Sequence, residues 1–217
     1  MRFLITAGPT REPIDPVRYL SNRSSGKMGY AIAEAAIEAG NEVVLISGPV
    51  DVDRPRAAAV IPVSTSDQMF DAVMQQTRNC DILVMCAAVA DYKPVAVFTK
   101  KIKKRDAKLS LELIPTRDIL ASLPKNRNYM VVGFAAETEN VEANAQKKLL
   151  KKNCDVVVAN DVSRPDSGME SDENEVEIFF RDAGNKKISR ASKKIVASEL
   201  VKIFEKYFEK RLTKKMQ

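Results

Sequence analysis

Histidine and tryptophan are absent from this 217-residue chain, and the first absence narrows the chemistry at once. Without imidazole there is no ordinary general base near neutral pH, no usual activator of a serine or cysteine nucleophile, and not the commonest metal ligand. Any reaction must run on lysine, carboxylates, asparagine, backbone amides or groups that the substrate brings. Cysteine is sparse: Cys80, Cys86 and Cys154 form no CxxC pair and no even framework, which points to buried free thiols in a reducing compartment. No apolar run approaches the roughly 20 residues of a membrane span. The amino-terminal stretch Met1 to Ala7 turns at Gly8-Pro9 without the long apolar run and cleavage site of a secretory signal. A soluble, cytosolic protein with no membrane partner is expected.

What is present is a globular composition, 45% hydrophobic and 29% charged, at a length that suits one domain over residues 1–217. The net charge of +6 is unevenly spread. Residues 186–217 hold 11 Lys and Arg against 3 Glu, whereas the remaining 185 residues hold 24 basic and 26 acidic side chains. In that tail Val196, Leu200, Ile203, Phe204, Tyr207, Phe208 and Leu212 recur every three to four residues, so its lysines read as the solvated face of a packed helix. A nucleic-acid-binding stripe is the weaker reading, and no nucleic-acid partner is expected.

Short β-branched or apolar runs alternate with helical patterns, which indicates an α/β fold with a mostly parallel sheet. The expected strands are Phe3 to Ala7, Glu42 to Ser47, Val60 to Val63, Asp81 to Cys86, Tyr129 to Phe134 and Asp155 to Ala159. Helices are expected over Gly26 to Ala39, Asp67 to Gln76 and Asn140 to Lys152, with Gly40 closing the first. Two regions break the rhythm: 92–115, dense in lysine, and 164–190, acidic before Val176-Glu177-Ile178-Phe179-Phe180. The period-two pattern Leu109-Ser110-Leu111-Glu112-Leu113 predicts a half-exposed strand, and both regions read as excursions, a flap and an interface ribbon.

The richest stretch follows the first strand: Thr6-Ala7-Gly8-Pro9-Thr10-Arg11-Glu12, then Ser21-Asn22-Arg23-Ser24-Ser25-Gly26-Lys27-Met28-Gly29. A strand, a long loop and a Ser-Ser-Gly helix start place amides, hydroxyls and a positive helix end at the edge of a parallel sheet, where an anion binds. Ser24 or Ser25 could equally be a plain helix cap. Small residues in Cys86-Ala87-Ala88-Val89-Ala90-Asp91 let a ligand approach a strand end, although Asp91 could also be an ordinary loop aspartate. Lys100-Lys101-Ile102-Lys103-Lys104 fits either a solvated edge or a flap closing over a polyphosphate. No GxGxxG occurs, and Ser47-Gly48-Pro49 stands where a ribose-binding acid would follow the second strand, so a nicotinamide-dependent oxidoreductase is disfavoured.

With Ile5 to Glu12, Ser21 to Gly29, Ala87 to Tyr92, Lys101 to Lys104, Gly133-Phe134-Ala135-Ala136-Glu137-Thr138 and Ala159-Asn160-Asp161-Val162 in this order, the chain resembles the phosphopantothenate–cysteine ligases, bacterial CTP-dependent type. The resemblance implies a three-layer Rossmann-like or ribokinase-like, mostly parallel sheet with a flap and a dimerisation ribbon. It implies a two-step ligation: the carboxylate of 4'-phosphopantothenate attacks the α-phosphate of CTP, and the amine of L-cysteine then displaces CMP from the acyl-cytidylate. Relatives that use ATP leave that nucleotide as the alternative. By the same resemblance Asn22 and Lys101 are catalytic; Ser24, Ser25, Gly26, Ala87 and Ala88, with Asn22, bind substrate. Asp91, Lys101, Thr116, Arg117, Asp118, Ile119, Phe134, Lys148 and Lys152 bind the nucleotide, and Asp91 also holds its Mg2+. Lys148 and Lys152, four apart, share a helix face. Thr116-Arg117 departs from the Asn-Pro that the family pattern leads one to expect. The resemblance further implies a homodimer and, because the chain starts at the first strand, either a stand-alone ligase or one half of a fusion with a phosphopantothenoylcysteine decarboxylase.

Overall fold

The computed structural model describes residues 1–104, 108–137, 139–161, 171–182 and 184–216, apart from the side chains of Glu137, Asp161, Lys215 and Met216. The chain runs through β1 (Arg2–Ala7), β2 (Arg11–Pro13), β3 (Tyr19–Ser21), α1 (Lys27–Glu38), β4 (Glu42–Ser47), β5 (Ala59–Pro62), α2 (Ser66–Gln76) and β6 (Ile82–Met85). It continues through β7 (Tyr92–Pro94), β8 (Leu113–Pro115), α3 (Ile119–Ser122), β9 (Met130–Glu137), α4 (Val141–Lys151), β10 (Val156–Asp161), β11 (Glu173–Phe180), β12 (Asn185–Ser192) and α5 (Lys193–Met216).

The main sheet has the order β12-β11-β10-β9-β6-β1-β4-β5. Its six strands from β10 to β5 are parallel, and numbered along the chain they follow the doubly wound order 3-2-1-4-5-6. Alternate residues of the central strands supply the two faces. Phe3, Ile5, Ile82 and Val84 pack with Ile32, Ala36, Leu200 and Phe204 of α1 and α5. Leu4, Leu83 and Val131 pack with Met69 and Val73 of α2, Ile119 of α3, and Ala145 and Leu149 of α4. Both faces being covered explains why these strands read as continuous apolar runs.

The six expected parallel strands and three helices all form, with no end moved by more than three residues and Glu42–Ser47 unmoved at both. Gly40 does close α1, at φ 82°. The regions that broke the rhythm behave differently from each other. Residues 162–170 lie outside the described part, but β11 and β12 are full members of the main sheet, added antiparallel to β10. Val176 and Ile178 are buried against the α1–α5 layer. Region 92–115 stays outside the main sheet and pairs with itself through β7 and β8 and, beside them, the Val95 N–H donating to the Glu112 carbonyl at 3.0 Å. The strand expected at Leu109 to Leu113 is not made: 108–112 carry no strand, and Leu109 is 60% exposed. Period-two spacing needs a face to bury, and here it has none; only Leu113, paired with Pro94 at the start of β8, joins a strand.

Lys186, Lys187 and Arg190, the first basic residues of the lysine-rich tail, belong to β12; from Lys193 on, the tail is a packed helix, as its spacing predicts, with Val196, Leu200, Phe204 and Phe208 buried and Leu212 at the exposed end. Its far end is fastened to the start of β10, where buried Asp155 accepts from the Val131 N–H at 2.8 Å and pairs with Arg127 at 3.1 Å and Arg211 at 2.8 Å. Of the thiols, Cys154 is buried and Cys80 and Cys86 half-buried, all free.

Candidate active site

In an open doubly wound sheet the ligand crevice opens at the carboxyl ends of the strands, where the direction of winding reverses. That point lies between the paired strands β1 and β6, and a cavity of about 310 Å³ lies there. Its walls are Asn22 and Ser24 to Gly29 after β1, Cys86 to Val89 with Asp91 after β6, and Phe134, Ala136 and Lys148 from β9 and α4. Asn160, Asn174 and Lys193, from β10, β11 and α5, complete it.

The two loops are fastened to each other. Pro9 and Ala88 form a parallel bridge; the Thr10 N–H donates to the Ala88 carbonyl at 3.2 Å, and the Ala88 N–H to the Gly8 carbonyl at 2.9 Å. Buried Thr6 and Thr10 accept, through their hydroxyls, from the Ala87 and Ala90 N–H groups at 3.1 and 2.9 Å. Asn22 joins this floor by donating its amide N–H to the Ala88 carbonyl at 3.0 Å. The alanines are thus held rigidly by polar groups beneath them, and their small side chains leave the floor open to a ligand.

Gly26 turns the chain into α1 with φ 77°, and no side-chain hydrogen bond caps this end. The alternative of a plain serine cap is therefore not met; Ser24 instead accepts the Gly26 N–H at 3.3 Å. A Cβ on Gly29 would stand 2.6 Å from that of Ala7, so glycine lets α1 lie directly on β1 and brings its positive end to the cavity.

The structure gathers Asn22, Ser24, Ser25, Gly26, Ala87, Ala88, Asp91, Phe134 and Lys148 around one cavity. Lys148 donates its ammonium to the Phe134 carbonyl. The other expected residues stand apart. Thr116 braces the Asp91 loop, its hydroxyl donating to the Ala90 carbonyl at 2.6 Å and its N–H to the Asp91 carbonyl at 2.9 Å. Arg117 is committed to α2, pairing with Asp67 at 3.1 Å and Asp71 at 2.9 Å over the Phe70 ring at 3.9 Å. Lys93 and Arg117 hold the Asp67 carboxyl below its usual range. Asp118 caps α3 by accepting from the Ala121 N–H at 2.9 Å and pairs with Lys152; burial opposes its charge, but these contacts win and its pKa is lowered. The Ile119 side chain is core.

Lys101 lines a separate cavity of about 1010 Å³ with Arg18, Lys100, Lys103 and Lys104. Its neighbour Ile102 is gripped from both sides: the N–H donates to Asp15 at 3.1 Å, and the carbonyl accepts from Arg18 at 3.1 Å. Buried Asp15 also accepts the Val17 and Arg18 N–H groups, each at 2.8 Å, and these donors outweigh burial in keeping its carboxyl ionised. Motif reading gave no role to Lys27, Asn160, Asn174, Cys86 or Lys193. Lys27 and Asn160 stood inside quoted motifs; Asn174 and Lys193 lie in the less distinctive carboxyl-terminal part and carried no local signal. The Cys86 thiol, pushed up to about 12 by burial, is protonated and a poor nucleophile.

The family model for the DNA/pantothenate metabolism flavoprotein C-terminal domain matches residues 1–207. The chain belongs to this family. It agrees with the resemblance drawn from the motifs. Among the curated relatives, the coenzyme A biosynthesis bifunctional protein CoaBC of Bacillus subtilis (strain 168) is 48% identical over 200 residues, covering 91% of this chain and 49% of that protein. CoaBC of Escherichia coli (strain K12) is 44% identical over 216 residues, covering 97% and 53%. The chain thus spans about half the length of the curated relatives it matches. Among solved structures, the C-terminal domain of a CoaBC protein is 42% identical with TM-score 0.83, covering 96% of each chain. A Cab2 mutant in complex with phosphopantothenate-cysteine, 16% identical, has TM-score 0.82 over 100% of this chain and 89% of that one, a likeness of fold. The DNA/pantothenate metabolism flavoprotein C-terminal domain fold is accordingly the doubly wound α/β arrangement described above.

Proposed function

We propose that this domain joins 4'-phosphopantothenate to L-cysteine at the expense of CTP, as a ligase of coenzyme A biosynthesis. The observation that carries the reading is the convergence of Asn22, Ala87, Ala88, Asp91, Phe134 and Lys148, distant in sequence, on one cavity at the winding switch. A carboxylate has no leaving group fit for amide formation. In the first step its oxygen attacks the α-phosphate of CTP, the new acyl O–P bond forms, and pyrophosphate departs with the broken P–O pair. In the second the cysteine amine attacks the acyl carbon, the C–O bond breaks, CMP leaves, and the amine loses a proton to solvent or phosphate.

The cost of the first step is charge on phosphate oxygens, which fixed cations and donors relieve; histidine is not needed. Lys148 and Phe134 would hold the nucleotide on the α4 side, with Lys152, Asp118, Ile119, Arg117 and Thr116 shaping that wall from behind. Lys101, on the latched flap, would close over the phosphates. Asn22 would hold the acyl-cytidylate over the Ala87–Ala88 floor, and Ser24, Ser25 and Gly26 would take the acid substrate at the α1 end. Mg2+ favours one or two carboxylates plus substrate phosphates, and Asp91 on the cavity wall fits that donor set. The ion would supply charge neutralisation on the triphosphate. Cytosolic location, a homodimer and a decarboxylase acting on the product belong to the same reading.

The test is pyrophosphate release with 4'-phosphopantothenate and either CTP or ATP, with and without cysteine. The reading expects CTP to be preferred and CMP to appear only once cysteine is added. Silence with both nucleotides overturns it, and a preference for ATP moves the chain to the other nucleotide class.

A further inference from the structure

The loop that puts Asp91 on the cavity wall is built as one unit with the start of the segment after β8. Asp91 immediately precedes β7, which pairs with β8 through Tyr92–Pro115 and Lys93–Ile114. Thr116 then donates to both the Ala90 and the Asp91 carbonyls. One tie fastens this unit to the loop after β1, where the Ala90 N–H reaches Thr10. A second tie comes from α2. Lys93, two residues beyond Asp91, and Arg117, the neighbour of Thr116, converge on the single carboxylate of Asp67 in the first turn of that helix.

Each carboxylate oxygen takes one cation: Lys93 pairs with Oδ2, and the Arg117 Nε donates to Oδ1 at 3.1 Å. The guanidinium also donates to the Asp67 carbonyl at 3.1 Å, pairs with Asp71 at 2.9 Å and lies 3.9 Å over the Phe70 ring, so its planar fork has one orientation. The helix does not need Asp67 as its cap. Thr65 accepts the Gln68 N–H at 3.2 Å and the Gln68 side chain accepts the Thr65 N–H at 3.3 Å, a complete capping box. Met69 and Val73 hold α2 in the core, which makes the carboxylate a fixed point for whatever it grips. The side chains of Lys93, Asp67 and Arg117 are between 27% and 44% exposed. Ion pairs so exposed contribute little to folding, yet these two set the position of both strands that flank Asp91.

Resting on the ligase reading, we propose that Asp67 is a positioning residue: by gripping Lys93 and Arg117 together it sets where Asp91 stands on the cavity wall, and hence how well the site takes the nucleotide with its divalent ion. Asp67 lines no part of that cavity and acts only through the β7–β8 unit.

The test uses Asp67→Asn, which keeps the shape and removes the charge that both cations need. The full chain is titrated calorimetrically with CTP, with and without Mg2+, and with 4'-phosphopantothenate, and pyrophosphate release is followed beside it. The expected result is a roughly tenfold loss of affinity for CTP with Mg2+, matched in KM for CTP, at the lower end of what the outer partners of a metal-holding carboxylate carry. Affinity for phosphopantothenate, binding of CTP without Mg2+, and Tm stay as in wild type, and Asp67→Glu recovers part of the loss. Adding Arg117→Gln to Asp67→Asn costs less than the two single losses combined, since both break the same grip. Unchanged affinity for CTP with Mg2+ in Asp67→Asn overturns the proposal, as does a loss shared by phosphopantothenate or accompanied by a fall in Tm, which marks a merely structural role. If wild type binds CTP with Mg2+ through Asp67 but releases no pyrophosphate, the grip stands and the ligase reading falls. Pyrophosphate release with a KM for CTP indifferent to Asp67 leaves the ligase reading and removes the grip, and a wild type that binds no nucleotide overturns both.

Discussion

The flap region 92–115 and the ribbon 173–192 interrupt the sequence rhythm alike, yet they end in opposite situations. The ribbon completes the main sheet, and Val176, Ile178 and Ile188 are buried beneath α1 and α5. The flap leaves Val95, Val97, Phe98 and Leu109 about half exposed or more; its backbone is held by the β7–β8 pairing, by the Phe98 N–H donating to the Ile14 carbonyl at 2.9 Å and by the Asp15–Arg18 grip on Ile102. Apolar spacing alone does not make a strand part of a core; an unpaired strand edge beside it and a helix above it do. The ribbon has β10 and α5. Among its described residues the flap region is held chiefly by hydrogen bonds and buries little apolar surface.

The comparison breaks first at Ile178. Ile178→Ala should destabilise the domain by about 2 to 5 kcal/mol in denaturant unfolding, whereas Phe98→Ala should change stability by less than about 0.5 kcal/mol; equal losses would mean that the flap is core. Next comes Lys101→Gln, which should slow pyrophosphate release by about 2 to 4 kcal/mol of barrier with Tm unchanged. Unchanged release would leave Lys101 a solvated edge. Asp15→Asn removes a charged acceptor from the latch, worth about 1.5 kcal/mol or more. Trypsin should then cut the lysine run roughly tenfold faster while the ribbon stays protected, and unchanged cutting would show that the latch does not hold the flap.

The smallest effect is in acid. Asp15 in the latch, and Asp172 and Asp182 beside the ribbon, have carboxyl pKa values below the ordinary 3.8 in the folded state. A depressed folded pKa adds stability that is fully present above the unfolded value and is lost as pH falls through the folded one. Stability should therefore hold between pH 8 and 5 and decline below about pH 4. A decline already at pH 6 would point to other groups.

Much of this molecule could be read from its residues. The parallel strands announce themselves because burial on both faces demands continuous apolar runs. The site loops do so because close approach to a ligand demands small residues at strand ends. The limits are equally physical. Leu109 to Leu113 has the spacing of a strand, but no core face lies beside it and only Leu113 pairs, with Pro94. Arg117 has the charge of a phosphate ligand, but Asp67 and Asp71, 46 and more residues upstream, claim it. Lys193 looked like one more solvated lysine, because nothing local distinguishes the residue that begins a helix at the cavity from those along its outer face.

The helix that begins with Lys193 runs antiparallel to the parallel strands until Arg211 reaches Asp155 at their opposite end. At about 1.5 Å per residue its 24 residues span roughly 36 Å. With Val196, Leu200, Phe204 and Phe208 buried along its length, it acts as a brace laid across the sheet, and one continuous element carries both the cavity-lining Lys193 and the Arg211 anchor at Asp155.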